Sequence, residues 1–155
     1  MPNDSLPPAR PVFGNAEYRQ LWEAIPDAVM VIDQDRFIRH ANAAVQALVG
    51  YTAAELTGEP LSRIVPDEQL QSLAATLGNY LQTGERRLDW RGTRACLRHR
   101  DGHVFPVEVS FGEVRLGDQR LFATVLRDIT ERERSERWQA ALSEISDAAH
   151  AATDL

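Results

Sequence analysis

Cysteine, long apolar runs and an excess of basic charge are scarce or absent in this sequence of 155 residues. The single cysteine, Cys96, excludes an internal disulfide framework. No segment approaches the roughly 18 consecutive apolar residues of a membrane helix. The N-terminus also lacks the basic segment and apolar run of a secretory signal. We therefore expect a cytoplasmic location and no membrane span in this sequence.

The charge balance argues against a nucleic-acid partner. Lys and Arg number 17 against 23 Asp and Glu, which gives a net charge of -6. Proteins that bind a phosphate backbone usually gather basic side chains on one face. Hydrophobic residues at 43% and charged residues at 26% are typical of a globular domain. The length allows one domain with a sizeable core and an additional terminal helix.

The N-terminal third predicts a leader, a short helix and a strand pair. Residues 1–15 hold four prolines and little periodicity, so we interpret them as a flexible leader. Apolar residues recur at helical spacing over residues 16–25, and Pro26 closes that helix. A β-rich run at 28–32 is followed by the turn composition of residues 33–35 and by Phe37 and Ile38, which predicts a hairpin.

The middle of the chain is predicted to be helical from its capping residues. Asn42 is expected to cap a helix that runs to Val49, with Gly50 as its left-handed C-cap. A capping box at residues 52–55 predicts a short turn of helix. A longer helix is expected over residues 66–82, and its apolar residues recur on one side. They are Leu70, Leu73, Leu77 and Leu81.

Three antiparallel strands are expected next. One is predicted to include Leu88, Trp90, Cys96 and Leu97, and the Asp101-Gly102 pair predicts a two-residue hairpin after it. The following strand alternates apolar residues from 105 to 111, and the pattern then shifts by one residue, which predicts a bulge at Gly112. Residues 121–126 are apolar at nearly every position, as in a central strand covered on both faces.

The final segment predicts one long helix with a seam for a partner. Thr130 and Glu133 have the spacing of a capping box, and no Gly or Pro follows. Apolar residues recur at alternating steps of three and four: Trp138, Ala141, Ile145, Ala148, Ala152 and Leu155. A narrow stripe of this kind is typical of a helix that packs against another helix. We therefore predict a homodimer formed through this helix and the N-terminal helix, which carries Leu21 and Trp22.

Several strings in this order resemble the PAS family of sensory domains. They are Asn42 followed by Gly50-Tyr51, Arg100-Asp101-Gly102 with 105–108, and Asp128-Ile129-Thr130. The resemblance implies an α+β fold: a five-stranded antiparallel sheet with a cluster of short helices on one face and flanking terminal helices. It places the PAS domain at residues 16–130 and a signalling helix at 131–155. In this family the Asp-Ile-Thr motif joins the sheet to that helix, so Asp128, Ile129, Thr130 and Glu133 are the predicted signal-transmission residues.

Residues 142–155 also resemble the helix that leads into GAF domains. This resemblance implies a downstream output domain in the same chain, with a histidine kinase or a diguanylate cyclase further on. The expected role is that of a sensory or dimerisation module within a bacterial-type signalling protein. A structural PAS domain that only joins two subunits is the main alternative.

The related sensors suggest two cofactors, and the sequence disfavours both. Flavin photoreceptors of the PAS class share a reactive cysteine in the helical half of the domain. The only cysteine of this sequence, Cys96, falls in the predicted sheet instead. Haem-binding oxygen sensors supply a histidine from the long helix, whereas residues 67–82 contain none and Leu73 stands near the matching place. We therefore predict a colourless protein whose ligand, if any, is a small molecule in a pocket near Asn42, Leu73, Leu77 and Trp90. Trp90 alternatively belongs to the core.

Catalysis and metal binding are not predicted. The sequence shows no Ser/His/Asp set, no paired carboxylates on an apolar strand face and no Gly-rich phosphate loop, so we expect no enzyme activity. His99 and His103 flank the predicted turn and are close enough to approach each other, but no third ligand converges by spacing. They are interpreted as an exposed turn pair, and no metal site is expected.

Overall fold

The computed structural model describes residues 16–85 and 90–153. The predicted leader, Leu88 and Leu155 lie outside these residues. The helices are α1 (Ala16–Ala24), α2 (Ala43–Val49), α3 (Ala53–Leu56), a 3₁₀ turn (Leu61–Arg63), α4 (Asp67–Thr83) and α5 (Thr130–Thr153). The strands are β1 (Ala28–Asp33), β2 (Ile38–Ala41), β3 (Thr93–Arg98), β4 (Val104–Leu116) and β5 (Gln119–Asp128). No helix among the described residues combines the length and the apolarity that crossing a membrane requires.

The strands form one antiparallel sheet in the order β2-β1-β5-β4-β3. This confirms the predicted α+β class and five-stranded sheet. One face of the sheet packs against α2, α3, the 3₁₀ turn and α4, and the apolar core lies between these two layers. The most deeply buried core residues include Ile32, Ile38, Val45, Val49, Leu56, Ile64, Val107 and Phe122. The central position predicted for the run at 121–126 is correct, but coverage of its second face is incomplete because Val125 is 36% exposed.

The predicted bulge at Gly112 is absent. The pairing of β4 with β5 is continuous from Val107↔Asp128 to Leu116↔Gln119. The apolar pattern shifts because Glu113 takes the inward position, where the Tyr80 hydroxyl and the Arg120 guanidinium donate hydrogen bonds to it. The apolar residues beyond it, Val114 and Leu116, are more than 40% exposed. The shift therefore reflects a half-buried polar contact instead of a change of register.

The turn between β3 and β4 is wider than the predicted two-residue hairpin. The last strand pair is Arg98↔Val104, which leaves residues 99–103 in the connection. Within it, the N–H of Gly102 donates to the carbonyl of His99, and the N–H of His99 donates to the carbonyl of His103. The strand pairing itself is as predicted. β3 begins at Thr93, so Trp90 precedes the strand in which it was predicted.

Asn42 precedes α2 but does not cap it with its side chain. The side chain is fully buried and points back toward the start of β1. Its Oδ1 accepts the N–H of Val29 at 3.0 Å, and its Nδ2 faces the carbonyls of Trp22, Ile25 and Asp27 at 3.0–3.4 Å. The first N–H of α2 instead donates to Glu23 of α1 at 2.7 Å. Asn42 therefore joins α1 and β1 to α2, a role that differs from the predicted cap.

Of the remaining predicted caps, two form and one does not. Gly50 closes α2 with φ of +81°, and the capping box of Thr52 and Glu55 forms as predicted. At the start of α5, however, the predicted box does not form. The hydroxyl and the N–H of Thr130 both donate to Asp128 Oδ1, at 2.5 and 2.8 Å. The N–H of Glu133 donates to the carbonyl of Ile129 at 2.9 Å.

Candidate functional site

A cavity of about 360 Å³ lies between the inner face of the sheet and α4. Its sheet side is formed by all four of the longer strands, including the consecutive residues 93–97 of β3. Its helical side is formed by the 3₁₀ turn and by Val65, Gln69, Ser72 and Leu73. The volume lies within the range of small-molecule sites in proteins, about 300–1,000 Å³.

The polar groups of the cavity wall are largely engaged within the protein. Gln69 of α4 accepts the backbone N–H of Cys96 at 2.8 Å, so it joins the helical wall directly to edge strand β3. The hydroxyl of Thr124 donates to the carbonyl of Met30 at 3.0 Å. Most of the remaining lining is aliphatic or aromatic. The cavity therefore suits a small, mainly apolar molecule.

The four residues predicted for a pocket occupy different places. Leu73 lines the cavity. Leu77 is buried in the core but is not part of the cavity lining. Asn42 lies at the α1–β1–α2 junction described above and is not among the residues that line this cavity. Its amide is bonded to backbone groups of the junction, and a place for it in a ligand pocket stays a prediction.

Trp90 belongs to an aromatic cluster instead of the cavity wall. Its ring meets that of Tyr80 edge to face at 4.8 Å between centroids and that of Phe122 at 6.1 Å. The packing matches the alternative of a core residue. Tyr80 donates its hydroxyl to Glu113 at 2.5 Å, and Arg120 donates to the other carboxylate oxygen at 2.7 Å. These hydrogen bonds, chiefly the one from Arg120, lower the pKa of Glu113 to about 2.

Ion pairs that the sequence did not indicate connect the start of α5 to the sheet. Arg94 of β3 donates from Nε and Nη2 to the two carboxylate oxygens of Glu133, at 2.5 and 3.3 Å. This contact lowers the pKa of Glu133. Arg132 donates to Glu108 of β4 at 2.9 Å. Arg94 and Glu108 are neighbours in the β3–β4 register, so both bonds act on one patch of the sheet.

One residue of the junction between β5 and α5, Ile129, is buried. Ile129 is 4% exposed, and its N–H donates to the carbonyl of Pro106 in β4 at 3.2 Å. Asp128 and Thr130 bond to each other on the surface beside it. The four predicted signal-transmission residues thus lie together where the sheet meets the helix. Beyond Glu133, every described residue of α5 is exposed.

A sequence model of the PAS-fold family matches residues 16–129. The chain belongs to the PAS family. The match ends one residue before α5, so this helix lies just outside the shared PAS region.

Relatives and solved structures agree with this assignment. The chain is 28% identical over 127 residues to the sensor protein FixL of Bradyrhizobium diazoefficiens. This match covers 82% of this chain and 25% of FixL. It is 31% identical over 94 residues to the sensory histidine kinase/phosphatase NtrB of Azospirillum brasilense, over 55% of this chain and 23% of NtrB. The chain thus spans a quarter or less of these relatives. A crystal structure of a PAS domain from Colwellia psychrerythraea superimposes with a TM-score of 0.61 at 18% identity, covering 74% of this chain and 96% of that chain.

Proposed function

We propose that this PAS domain senses a small, mainly apolar molecule in its cavity and passes the change to an output domain through α5. The supporting observation is that β3 is both a wall of the cavity and the strand whose Arg94 holds Glu133 of α5. Homology to part of the histidine kinase NtrB favours a kinase as output, and a diguanylate cyclase is the second candidate. In this proposal the domain itself is not an enzyme and acts in the cytoplasm.

The mechanism starts at the edge strand. β3 has a strand neighbour on one side only, and on the cavity side its Cys96 N–H is held by Gln69 of α4. A ligand that separates α4 from β3 weakens this bond and moves the strand. Arg94 moves with the strand and carries Glu133, because a bidentate guanidinium–carboxylate pair fixes orientation as well as distance. The first turn of α5 is the element that responds.

The second part of the proposal concerns the partner of α5. Trp138 and Ile145 of the predicted seam, and Leu142 beside it, are 59–69% exposed. On α1, Leu21 is 66% exposed, while Trp22 is half-buried. We expect a second copy of this chain to cover these surfaces, since an exposed apolar stripe at heptad spacing is typical of helix pairing. The helix then leads into a downstream domain, for which a GAF domain is the candidate.

The test separates the strand-to-helix bond from the local charge of the helix. Arg94→Ala removes the bond between β3 and Glu133. Arg137→Ala is a matched control, because Arg137 reaches the same carboxylate at 3.7 Å from within α5 and leaves the bond to β3 intact. In the full-length protein with its output domain, we expect Arg94→Ala to abolish stimulus dependence and Arg137→Ala to preserve it. Normal stimulus dependence in Arg94→Ala would reject this route.

Asp128 provides a second variant on the same route. Asp128→Ala removes the acceptor for both the N–H and the hydroxyl of Thr130, whereas Thr130→Ala removes only the hydroxyl donor. We therefore expect both variants to fold and to be uncoupled from output, with the larger defect in Asp128→Ala. Coupling equal to the parent protein in both variants would show that the junction plays no part.

The ligand itself is tested on the purified chain. We expect no visible absorption band. Denaturation should release a small apolar molecule, which mass spectrometry detects. A stable visible band after gel filtration would contradict the prediction of a colourless protein. The alternative of a structural dimerisation domain predicts three results together. The denatured chain releases no ligand, the folded chain binds no apolar probe, and light scattering shows a dimer.

A further inference from the structure

Three potential metal ligands meet at the tip of the β3–β4 hairpin: His99, Asp101 and His103. One ligand atom from each lies within 4.8 Å of the others. Asp101 Oδ1 lies 3.3 Å from Nδ1 of His99 and 2.5 Å from Nδ1 of His103. Two ligand atoms at about 2.0–2.1 Å from a tetrahedral zinc ion lie roughly 3.3 Å apart. The two imidazole rings are stacked with 19° between their planes, so both rings must rotate to direct a nitrogen at one ion.

The backbone of the tip is held in place by α2 and α3. The N–H of Arg100 donates to the carbonyl of Val49 at 2.8 Å, and its guanidinium donates to both carboxylate oxygens of Glu55 at 3.1–3.2 Å. The same guanidinium lies 5.3 Å from the centre of the Tyr51 ring. The residue between two of the ligands is thus anchored to another part of the fold. This reduces the conformational freedom that metal binding would otherwise have to remove.

The His99 ring is positioned by Gly50. A Cβ added to Gly50 would lie 2.8 Å from Cε1 and 2.9 Å from Nε2 of this ring, so the ring occupies the space that a side chain would fill. His99 stacks on His103 with 4.8 Å between ring centroids. The Asp101 and His103 side chains are 59% and 57% exposed, which leaves the cluster open to an ion from solution.

We propose that His99, Asp101 and His103 form a binding site for a divalent transition-metal ion of the zinc type. Two imidazoles and one carboxylate suit Zn²⁺, Ni²⁺ or Cu²⁺ better than Mg²⁺ or Ca²⁺, which prefer oxygen ligands. Three protein ligands leave a further coordination position for water or another ligand. The bound ion cross-links the end of β3 to the start of β4. The site is separate from the cavity and does not depend on the proposed sensory role.

The experiment is calorimetric titration of the tag-free 155-residue chain with Zn²⁺. We expect one ion per chain, no comparable heat with Mg²⁺, and at least about tenfold weaker binding of Zn²⁺ in Asp101→Asn and in His103→Gln. Both side chains are exposed, and circular dichroism verifies that the variants fold. His150→Gln is the control, because His150 is an exposed histidine on α5 away from the cluster. It should bind Zn²⁺ as the parent chain does.

Co²⁺ supplies a second readout, since its visible absorption reports the coordination geometry. Binding of Co²⁺ to the parent chain should give bands that Asp101→Asn and His103→Gln lose. Absence of Zn²⁺ binding in the parent chain, or affinity unchanged in both variants, would overturn the proposal. Loss of binding in His150→Gln would overturn it as well, because the ion would then be held elsewhere.

Discussion

Replacement of Asn42 by alanine should destabilise the domain far more than replacement of Asn79 by alanine. Asn42 is fully buried, and its Oδ1 is the acceptor for the buried N–H of Val29. Nδ2 of Asn79 is also buried but has no hydrogen-bond partner among the described residues. The two substitutions are chemically identical. We therefore expect their difference in stability to come chiefly from the hydrogen bonds of Asn42.

The magnitude follows from the groups left behind. In Asn42→Ala the Val29 N–H remains buried without an acceptor, which costs about 1–3 kcal/mol. Three carbonyls lose their donor and a small void remains, so we expect a total of about 2–4 kcal/mol. In Asn79→Ala no bond of Nδ2 is lost, and alanine favours the helix by up to about 0.7 kcal/mol. We therefore expect a change of about 1 kcal/mol or less.

Urea denaturation followed by circular dichroism measures both free energies of unfolding. Hydrogen exchange of α1 gives a second readout, because Asn42 faces the carbonyls of Trp22 and Ile25 at the end of that helix. Exchange in α1 should rise in Asn42→Ala and stay unchanged in Asn79→Ala. Equal destabilisation by the two variants, within about 0.5 kcal/mol, would refute the role assigned to Asn42.

Two further outcomes test other contacts. Gly50→Ala should lower the free energy of unfolding more than Gly58→Ala. Both glycines have left-handed backbones, with φ of +81° and +88°, but of the two only Gly50 has side-chain atoms close to the added Cβ, those of the His99 ring and Arg100 Cβ. Equal losses in urea denaturation would show that His99 and Arg100 move aside at no cost. The pKa of Glu113 is lowered to about 2, so its contribution to stability is complete above its ordinary pKa of 4.5 and is lost as the pH falls toward 2. Glu113→Gln should therefore flatten the decline in stability over this range, and an unchanged decline would contradict the pKa assignment.

The secondary structure and the family could be predicted from local patterns. Apolar periodicity located α1, α4 and α5, and turn residues separated the strands that pair in the sheet. The Thr52–Glu55 capping box formed as expected because both of its partners lie within one helical turn. The PAS assignment was predictable for the same reason, since its motifs are short strings in a fixed order. Their residues could be recognised without knowledge of any long-range contact.

Several of the predictions that were wrong concern polar side chains with a choice of partners. Asn42 bonds to backbone groups that lie 13 to 20 residues earlier in the chain, and Glu133 bonds to Arg94, 39 residues away, instead of closing the predicted box with Thr130. Glu113 likewise displaces the apolar pattern of β4 because Tyr80 reaches it from α4. A local pattern shows which hydrogen bonds a side chain is able to make. Only the tertiary structure decides which of them forms, because folding brings competing donors and acceptors from distant segments to the same buried or half-buried place.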